Sequence, residues 1–146
     1  MSFFNLRLAK PTDLNFILGT FRDSMRDDSQ LAKSCKTSVF KREFTKVIDS
    51  ILARSKVTIA CTKEDQSVIL GYAITEDPGI LHYLFVKEPF RRKGIANYLV
   101  NHLFKPRIVE CSLKTNLVKR ILDNKTEFIY NPFLLYRQEL GNGNKS

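Results

Sequence analysis

A chain of 146 residues, 43% hydrophobic and 27% charged, is long enough to bury one core without cross-links and is ordinary in composition for a globular domain. Cys35, Cys61 and Cys111 are odd in number and lack a C-x-x-C spacing, which argues against a zinc site and a disulfide framework, so no metal is expected. Lys and Arg total 24 against 15 acids, a net charge of +9 that suits an anionic ligand, nucleic acid or an acidic protein without choosing among them.

In chain order, Phe4, Leu6 and Leu8 alternate with polar residues across Phe3 to Ala9, the pattern of a half-buried strand. Pro11-Thr12-Asp13 then reads as a helix start, with Leu14, Ile17, Leu18 and Phe21 on one face. Arg22 to Lys36 is polar and mixed in charge, and it reads as a helix end and a mobile loop with a break at Asp27-Asp28-Ser29. Phe40, Phe44, Val47, Ile48, Ile51 and Leu52 recur at helical spacing and predict a helix from Val39 to Arg54. Val57 to Thr62 and Val68 to Thr75 form a hairpin around a polar turn, with Gly71 marking either a bulge or a close approach of another backbone. Glu76-Asp77-Pro78-Gly79 is a turn. The apolar stretch from Leu81 to Val86 that follows suits a central strand, which Pro89 ends.

From Ile95 the period becomes helical, through Tyr98, Leu99, His102 and Leu103, until Lys105-Pro106. Beyond it, 107–113 reads as a strand, 115–124 as a short helix, and 126–130 and 133–138 as two strands around Asn131-Pro132. One domain over 1–140 with a polar, disordered tail over 141–146 is expected. The start of the chain has no apolar core behind a basic end, and no run of about 18 apolar residues occurs, so a cytoplasmic protein without a membrane span is expected.

Between strand and helix lies Arg91-Arg92-Lys93-Gly94. At a helix start, main-chain N–H groups and the helix dipole make an anion site, the glycine lets backbone approach a phosphate, and the three cations add a favourable field. Arg91, Gly94 and Ala96 here fill a pattern that resembles motif A of the GCN5-related N-acetyltransferases (GNAT): Gln or Arg, two residues, Gly, one residue, then Gly or Ala. The opening LRLAKPTDL and the element order are similar to the same family. The resemblance implies an α/β (α+β) fold, a mixed, mostly antiparallel sheet of six to seven strands flanked by about four helices. It also implies an enzyme that moves an acetyl or other acyl group from coenzyme A to an amine. The pyrophosphate of the acetyl-CoA co-substrate would lie on Arg91, Arg92, Lys93, Gly94, Ile95, Ala96 and Asn97, and its pantetheine arm would pair with Leu84, Phe85 and Val86. Asn116 takes the place of an asparagine that lies near the coenzyme in many members.

Amide formation from a thioester needs a neutral amine, hence a proton acceptor, and a donor for the departing thiolate. His82 is the candidate acceptor, at a position where the resemblance implies a histidine used in proton removal. The other reading of it is a core histidine satisfied by hydrogen bonds. Two departures from the family pattern stand out: Asp123 replaces the usual tyrosine, and Glu127 beside Phe128 replaces a glycine. Tyr130 is then a candidate phenol, with Tyr136 a second, and each is also a packing residue. Cys111, on a strand, is either an acyl carrier or an inert buried thiol, and His102 is expected to be structural. The shortness of the chain and its basic surface also look similar to small phage-encoded GNAT-like proteins of the Mu Mom type, which modify DNA. A GNAT-fold module that binds coenzyme A, nucleic acid or an acidic protein without catalysis is the remaining alternative. Lys41, Arg42, Lys46, Arg54, Lys56, Lys114, Lys119, Arg120 and Lys125 are assigned to exposed faces or loops, where they would steer a polyanion.

Overall fold

A computed structural model describes residues 3–28, 30–104, 108–113, 115 and 127–136. The elements are β1 (Phe4–Leu8), a 3-10 turn (Pro11–Asp13), α1 (Leu14–Asp28), α2 (Gln30–Lys33), α3 (Thr37–Ala53), β2 (Lys56–Thr62), β3 (Ile69–Glu76) and β4 (Ile80–Val86). A 3-10 turn (Glu88–Phe90), α4 (Ile95–Leu103), β5 (Ile108–Cys111), β6 (Glu127–Tyr130) and a last 3-10 turn (Pro132–Tyr136) complete the order. The six strands form one sheet in the order β1-β2-β3-β4-β5-β6. β1 to β4 are antiparallel neighbours, and β4–β5 and β5–β6 pair parallel.

The sheet separates two apolar layers. On one face α1 and α3 contribute Ile17, Phe21, Met25, Phe40, Phe44, Ile48 and Ile51, which pack against Ile59, Tyr72, Ile74 and Tyr83. On the other, Ile95, Leu99 and Val100 of α4 meet Ala60, Leu70, Ala73, Leu81, Leu84, Val86 and Val109. Covered on both sides, β3 and β4 need apolar residues at successive positions, which is why their sequences read as nearly continuous hydrophobic runs. Phe21 stacks on Tyr83 with ring centroids 4.3 Å apart and an interplanar angle of 6°. Burial of each such side chain contributes about 1.5–3 kcal/mol. The fully buried Tyr72 has its hydroxyl 2.6 Å from Thr20 Oγ1, and burial raises its phenol well above the ordinary range.

Three expectations need correction. The first helix continues to Asp28, and a further short helix follows where a mobile loop was expected. Met25, four residues beyond Phe21 and 2% exposed, holds that extra turn to the core while its neighbours Arg22, Asp23, Ser24 and Arg26 make the segment look solvated. The expected strand over 133–138 is a 3-10 turn in its described part. Pro132 favours a turn entry, and the Asn131 Oδ1 accepts the Phe133 N–H at 3.2 Å. Leu134 and Leu135 are buried side by side between exposed Phe133 and Tyr136, a pattern that a strand's alternation does not give. Third, Arg54 is buried, with 6% side-chain exposure, because it is paired within the protein. The expected helix over 115–124 lies almost entirely outside the described residues, as do Lys114, Lys119, Arg120 and Lys125.

Candidate active site

β4 ends where Lys87 N–H donates to Leu70 O at 2.8 Å, and the Glu88–Phe90 turn then leads to Arg91. Arg91 Nε donates to Val86 O at 2.8 Å, which ties the basic turn back to the strand it leaves. Arg92 takes a left-handed conformation, φ +66°, and Gly94 another at φ +86°. Only glycine adopts this region without cost, and an L-residue there loses roughly 1–2 kcal/mol. Gly94 is the N-cap of α4, and the helix starts with no side chain capping it. The first-turn N–H groups of a helix have no partner within it, so those of Ile95, Ala96 and Asn97 look out beside exposed Arg92 and Lys93. A Cβ built on Gly94 meets nothing within 4 Å, so the space over the turn is open. Hydrogen-bond donors, the positive helix end and two cations converge on one open surface, an arrangement whose electrostatics favour an anion.

Beside this turn, β4 has an edge that the described residues leave open. Its pairing with β5 covers Ile80↔Glu110 and Leu81↔Cys111, and among the described residues nothing pairs with β4 on that side beyond Leu81 except the Arg91 side chain. In an antiparallel ladder alternate residues turn their main-chain groups to the same neighbour. Counting from Lys87, Phe85 and Tyr83 face β3, while Leu84 and Val86 present theirs to the open edge; the Arg91 bond to Val86 O is on that side. Of the three expected coenzyme-pairing residues, Leu84 and Val86 turn their main chain to that edge, and Phe85 turns its toward β3.

Gly71 opposes Val86, and a Cβ on it would lie 2.5 Å from Phe85 O, so the glycine allows the close approach of β3 to β4. Both expectations for this residue hold, since the β2–β3 register also shifts beside it, leaving Leu70 without an opposite residue.

His82 lies in a second irregularity. Ile74 opposes Tyr83 and Thr75 opposes Leu81, so His82 is the extra residue of a bulge on β4. Its ring turns to the α1/α3 side and is fully buried. Nδ1 is 2.7 Å from Ser112 Oγ, and Nε2 is 2.8 Å from Glu76 Oε1. That same carboxylate oxygen accepts from Arg54 Nε at 3.1 Å, and the other guanidinium nitrogens of Arg54 reach Ser50 and Leu134 O. Ser112 and Glu76 were not among the candidate site residues read from the sequence, and Arg54 was read there only as an exposed cation. His82 is thus satisfied by hydrogen bonds, as one of its two readings required, and those bonds fix the orientation of its ring.

The other candidates scatter. Tyr130 opposes Cys111 at the end of β6 and is 51% exposed. By alternation with Phe128, which packs on the α4 side, its side chain is on the sheet face opposite to His82. Tyr136 is exposed on the last turn, and His102 stacks on Tyr98 on α4, away from the site. Burial pushes the Cys111 thiol up to about 12, so it is protonated at neutral pH and is not a nucleophile there. Asn116 and Asp123 lie outside the described residues. Of the exposed-face lysines and arginines, Arg42 and Lys46 both approach Glu43, which offsets part of their charge. Among the described residues no group of three His, Cys, Asp or Glu side chains is placed to hold a metal, and no helix is long and apolar enough to cross a membrane. An open cleft of about 320 Å³ at the β1 edge, lined by Leu8, Leu14, Leu52 and Ser55 among others, is three strands away from β4.

The six-stranded sheet with α4 leaving β4 through a basic glycine turn is the fold of the GNAT acetyltransferases. No family profile matches the sequence, and no curated protein does. Among solved structures the chain is similar to a histone acetyltransferase HPA2 and related acetyltransferase from Corynebacterium glutamicum, at a TM-score of 0.52 and 12% identity over 69% of this chain and 70% of that one. The fold assignment rests on this likeness together with the topology. Weaker likenesses are to a GCN5-related N-acetyltransferase from Rhodopseudomonas palustris (TM-score 0.47, 21% identity, 70% of this chain) and to YjaB from Escherichia coli (TM-score 0.49, 17% identity, 70% of this chain). The alignment spans 64% of the length of each of these last two proteins.

Proposed function

We propose that the protein is an N-acyltransferase that uses an acyl-coenzyme A thioester as donor and an amine as acceptor. The observation that carries this reading is the junction of an open β4 edge with the N–H-rich turn at Arg91 to Asn97. One end binds a pyrophosphate, and the other offers Leu84 and Val86 main-chain groups to an amide-bearing arm, as an added strand would use them. Arg92 and Lys93 supply the field for the phosphates, and Arg91 braces the turn on Val86. His82 is the group of this site whose ordinary pKa suits proton removal near neutral pH. Tyr130, on the other face of the sheet, is the phenol nearest β5 in the described pairing. The thioester supplies the activated acyl group when bound, and the residues of the chain hold it and move the protons.

Calorimetry with coenzyme A and acetyl-CoA tests this. Gly94→Asp keeps a residue that tolerates the left-handed backbone but puts a carboxylate where the phosphate should sit, so affinity should fall by more than about tenfold with an unchanged circular dichroism spectrum. Gly94→Asn, neutral and also tolerant of that backbone, should lose much less. Equal binding by wild type and Gly94→Asp would refute the assignment of the turn. Mass spectrometry of amines, proteins and DNA after incubation with acetyl-CoA then identifies the acceptor.

A further inference from the structure

His82 and the three side chains arrayed with it come from four separate elements: Arg54 follows α3, Glu76 ends β3, His82 bulges from β4 and Ser112 follows β5. Burying such groups is costly, and apolar side chains would fill the same space without that cost. Their order is that of an activated nucleophile: a hydroxyl on an imidazole, the imidazole on a carboxylate, and an arginine on the carboxylate. The hydrogen bonds also define the tautomer. Glu76, ion-paired with Arg54, is a carboxylate and can only accept, so His82 Nε2 carries the proton that is donated to it. In the neutral ring Nδ1 then holds the lone pair, and Ser112 Oγ–H donates to it across 2.7 Å.

The position of Ser112 matches that role. Its N–H donates to Leu81 O at 3.3 Å, which is the last main-chain bond before β4 and β5 part and the open edge of β4 begins. Three residues beyond Leu81, Leu84 offers its main chain to the donor's arm.

We propose that Ser112 is an acyl-accepting nucleophile and that transfer runs through a Ser112 ester, with Glu76 and Arg54 as positioning residues for His82. This deepens the acyl-coenzyme A reading and rests on it for the donor. In the first half, Ser112 Oγ gives its proton to His82 Nδ1 and attacks the thioester carbon. The C–S bond breaks, and the departing thiolate takes the proton from Nδ1 to leave as free thiol. In the second half the acceptor amine attacks the ester carbon and gives a proton to Nδ1. The C–O bond to Ser112 breaks, and Oγ recovers the proton. Ser112 is fully covered in the unliganded chain, so acylation requires the Leu81–Ser112 mouth to part. The same burial shields the ester from water.

Two measurements on the full chain decide it. Mixing with 4-nitrophenyl acetate, which needs no coenzyme site, should release a burst of one nitrophenolate per chain. Acid quench and peptide mass spectrometry after incubation with acetyl-CoA without acceptor should find one acetyl group on Ser112. Ser112→Ala should lose both signals, Ser112→Cys should keep the label, and His82→Ala should slow labelling by about a hundredfold. A burst with the ester in a protein that fails to bind acetyl-CoA would leave the nucleophile standing and remove the coenzyme reading. Amine acetylation by a wild type that shows no burst and no acetyl-Ser112 would overturn the proposal in favour of direct transfer and leave the coenzyme reading intact.

Discussion

Gly71→Ala tests whether the approach of β3 to β4 is set by the missing side chain. The added carbon would lie 2.5 Å from Phe85 O, 3.1 Å from Val86 Cα and 3.2 Å from Val86 Cγ2. A carbon and a carbonyl oxygen rest at about 3.3 Å, so the strands must separate locally by about 0.8 Å. Two of the three atoms are backbone in a strand covered on both faces, and no rotamer change relieves them. Replacing glycine by alanine where the space is free stabilises by about 0.4–1 kcal/mol through the unfolded chain. Overpacking of this kind costs about 1–3 kcal/mol and outweighs that gain, for a net loss of about 1–2 kcal/mol. At roughly 2–6 °C per kcal/mol for a chain of this size, Tm should fall by about 2–12 °C. Urea denaturation should show a lower midpoint with an unchanged slope. Because the displaced residue is Val86, acetyl-CoA affinity should fall as well. An unchanged or higher Tm would show that the strands part freely and that the glycine is not what sets their spacing.

Arg54→Met should destabilise the protein by about 3 kcal/mol or more in denaturant titrations, since it takes the guanidinium partner from a largely buried carboxylate. Adding Glu76→Gln should recover part of that loss, and a single variant as stable as wild type would rule out the pair as a tie between α3 and β3. Asp13 accepts from Arg7 at 2.8 and 3.1 Å and from the Lys10 N–H at 2.7 Å, and the Arg7 hydrogen bonds in particular hold its carboxyl below the ordinary range despite burial. The stabilisation from this depressed pKa is therefore present above the unfolded value of about 4 and is lost as pH falls through the lower folded value. Asp13→Asn should remove that part of the acid sensitivity, and an identical acid-denaturation curve for the variant would contradict it. With Cys61 and Cys111 buried and Cys35 exposed, one of the three thiols should react rapidly with an aromatic disulfide in the native state. Fast reaction of a second would show that the sheet opens readily.

Periodicity carried the strands and both long helices, because each has one or two faces to bury and the residues repeat accordingly. It failed where one apolar residue among polar neighbours holds an element: of the described side chains at the end of α1, Met25 is the one buried in the core. It also failed at Leu134-Leu135, where adjacent buried residues resemble the end of a strand until Asn131 is seen to bond back into a turn. The basic glycine turn was legible because Gly94 and its cations are adjacent in sequence, although the left-handed backbone at Arg92 leaves no mark in residue type. The buried array was mostly invisible. His82 stands out by its chemistry, but Arg54 has the look of a solvated helix end and Glu76 that of a turn residue, and Ser112 is 30 positions from the ring it contacts. Only the pairing of β4 with β5 joins them.

The bulge on β4 has a consequence for how the chain can change. His82 is flanked by Leu81, which packs on the α4 side, and Tyr83, which packs on the α1/α3 side. With His82 removed, Thr75↔Leu81 and Ile74↔Tyr83 would become successive rungs of an unbroken ladder, and every later side chain of β4 would keep its face. The strand is thus one residue longer than its sheet requires, and the surplus residue is the titratable one. Loss of a single codon would delete this histidine and leave the ladder continuous, so the scaffold and the imidazole can be inherited separately.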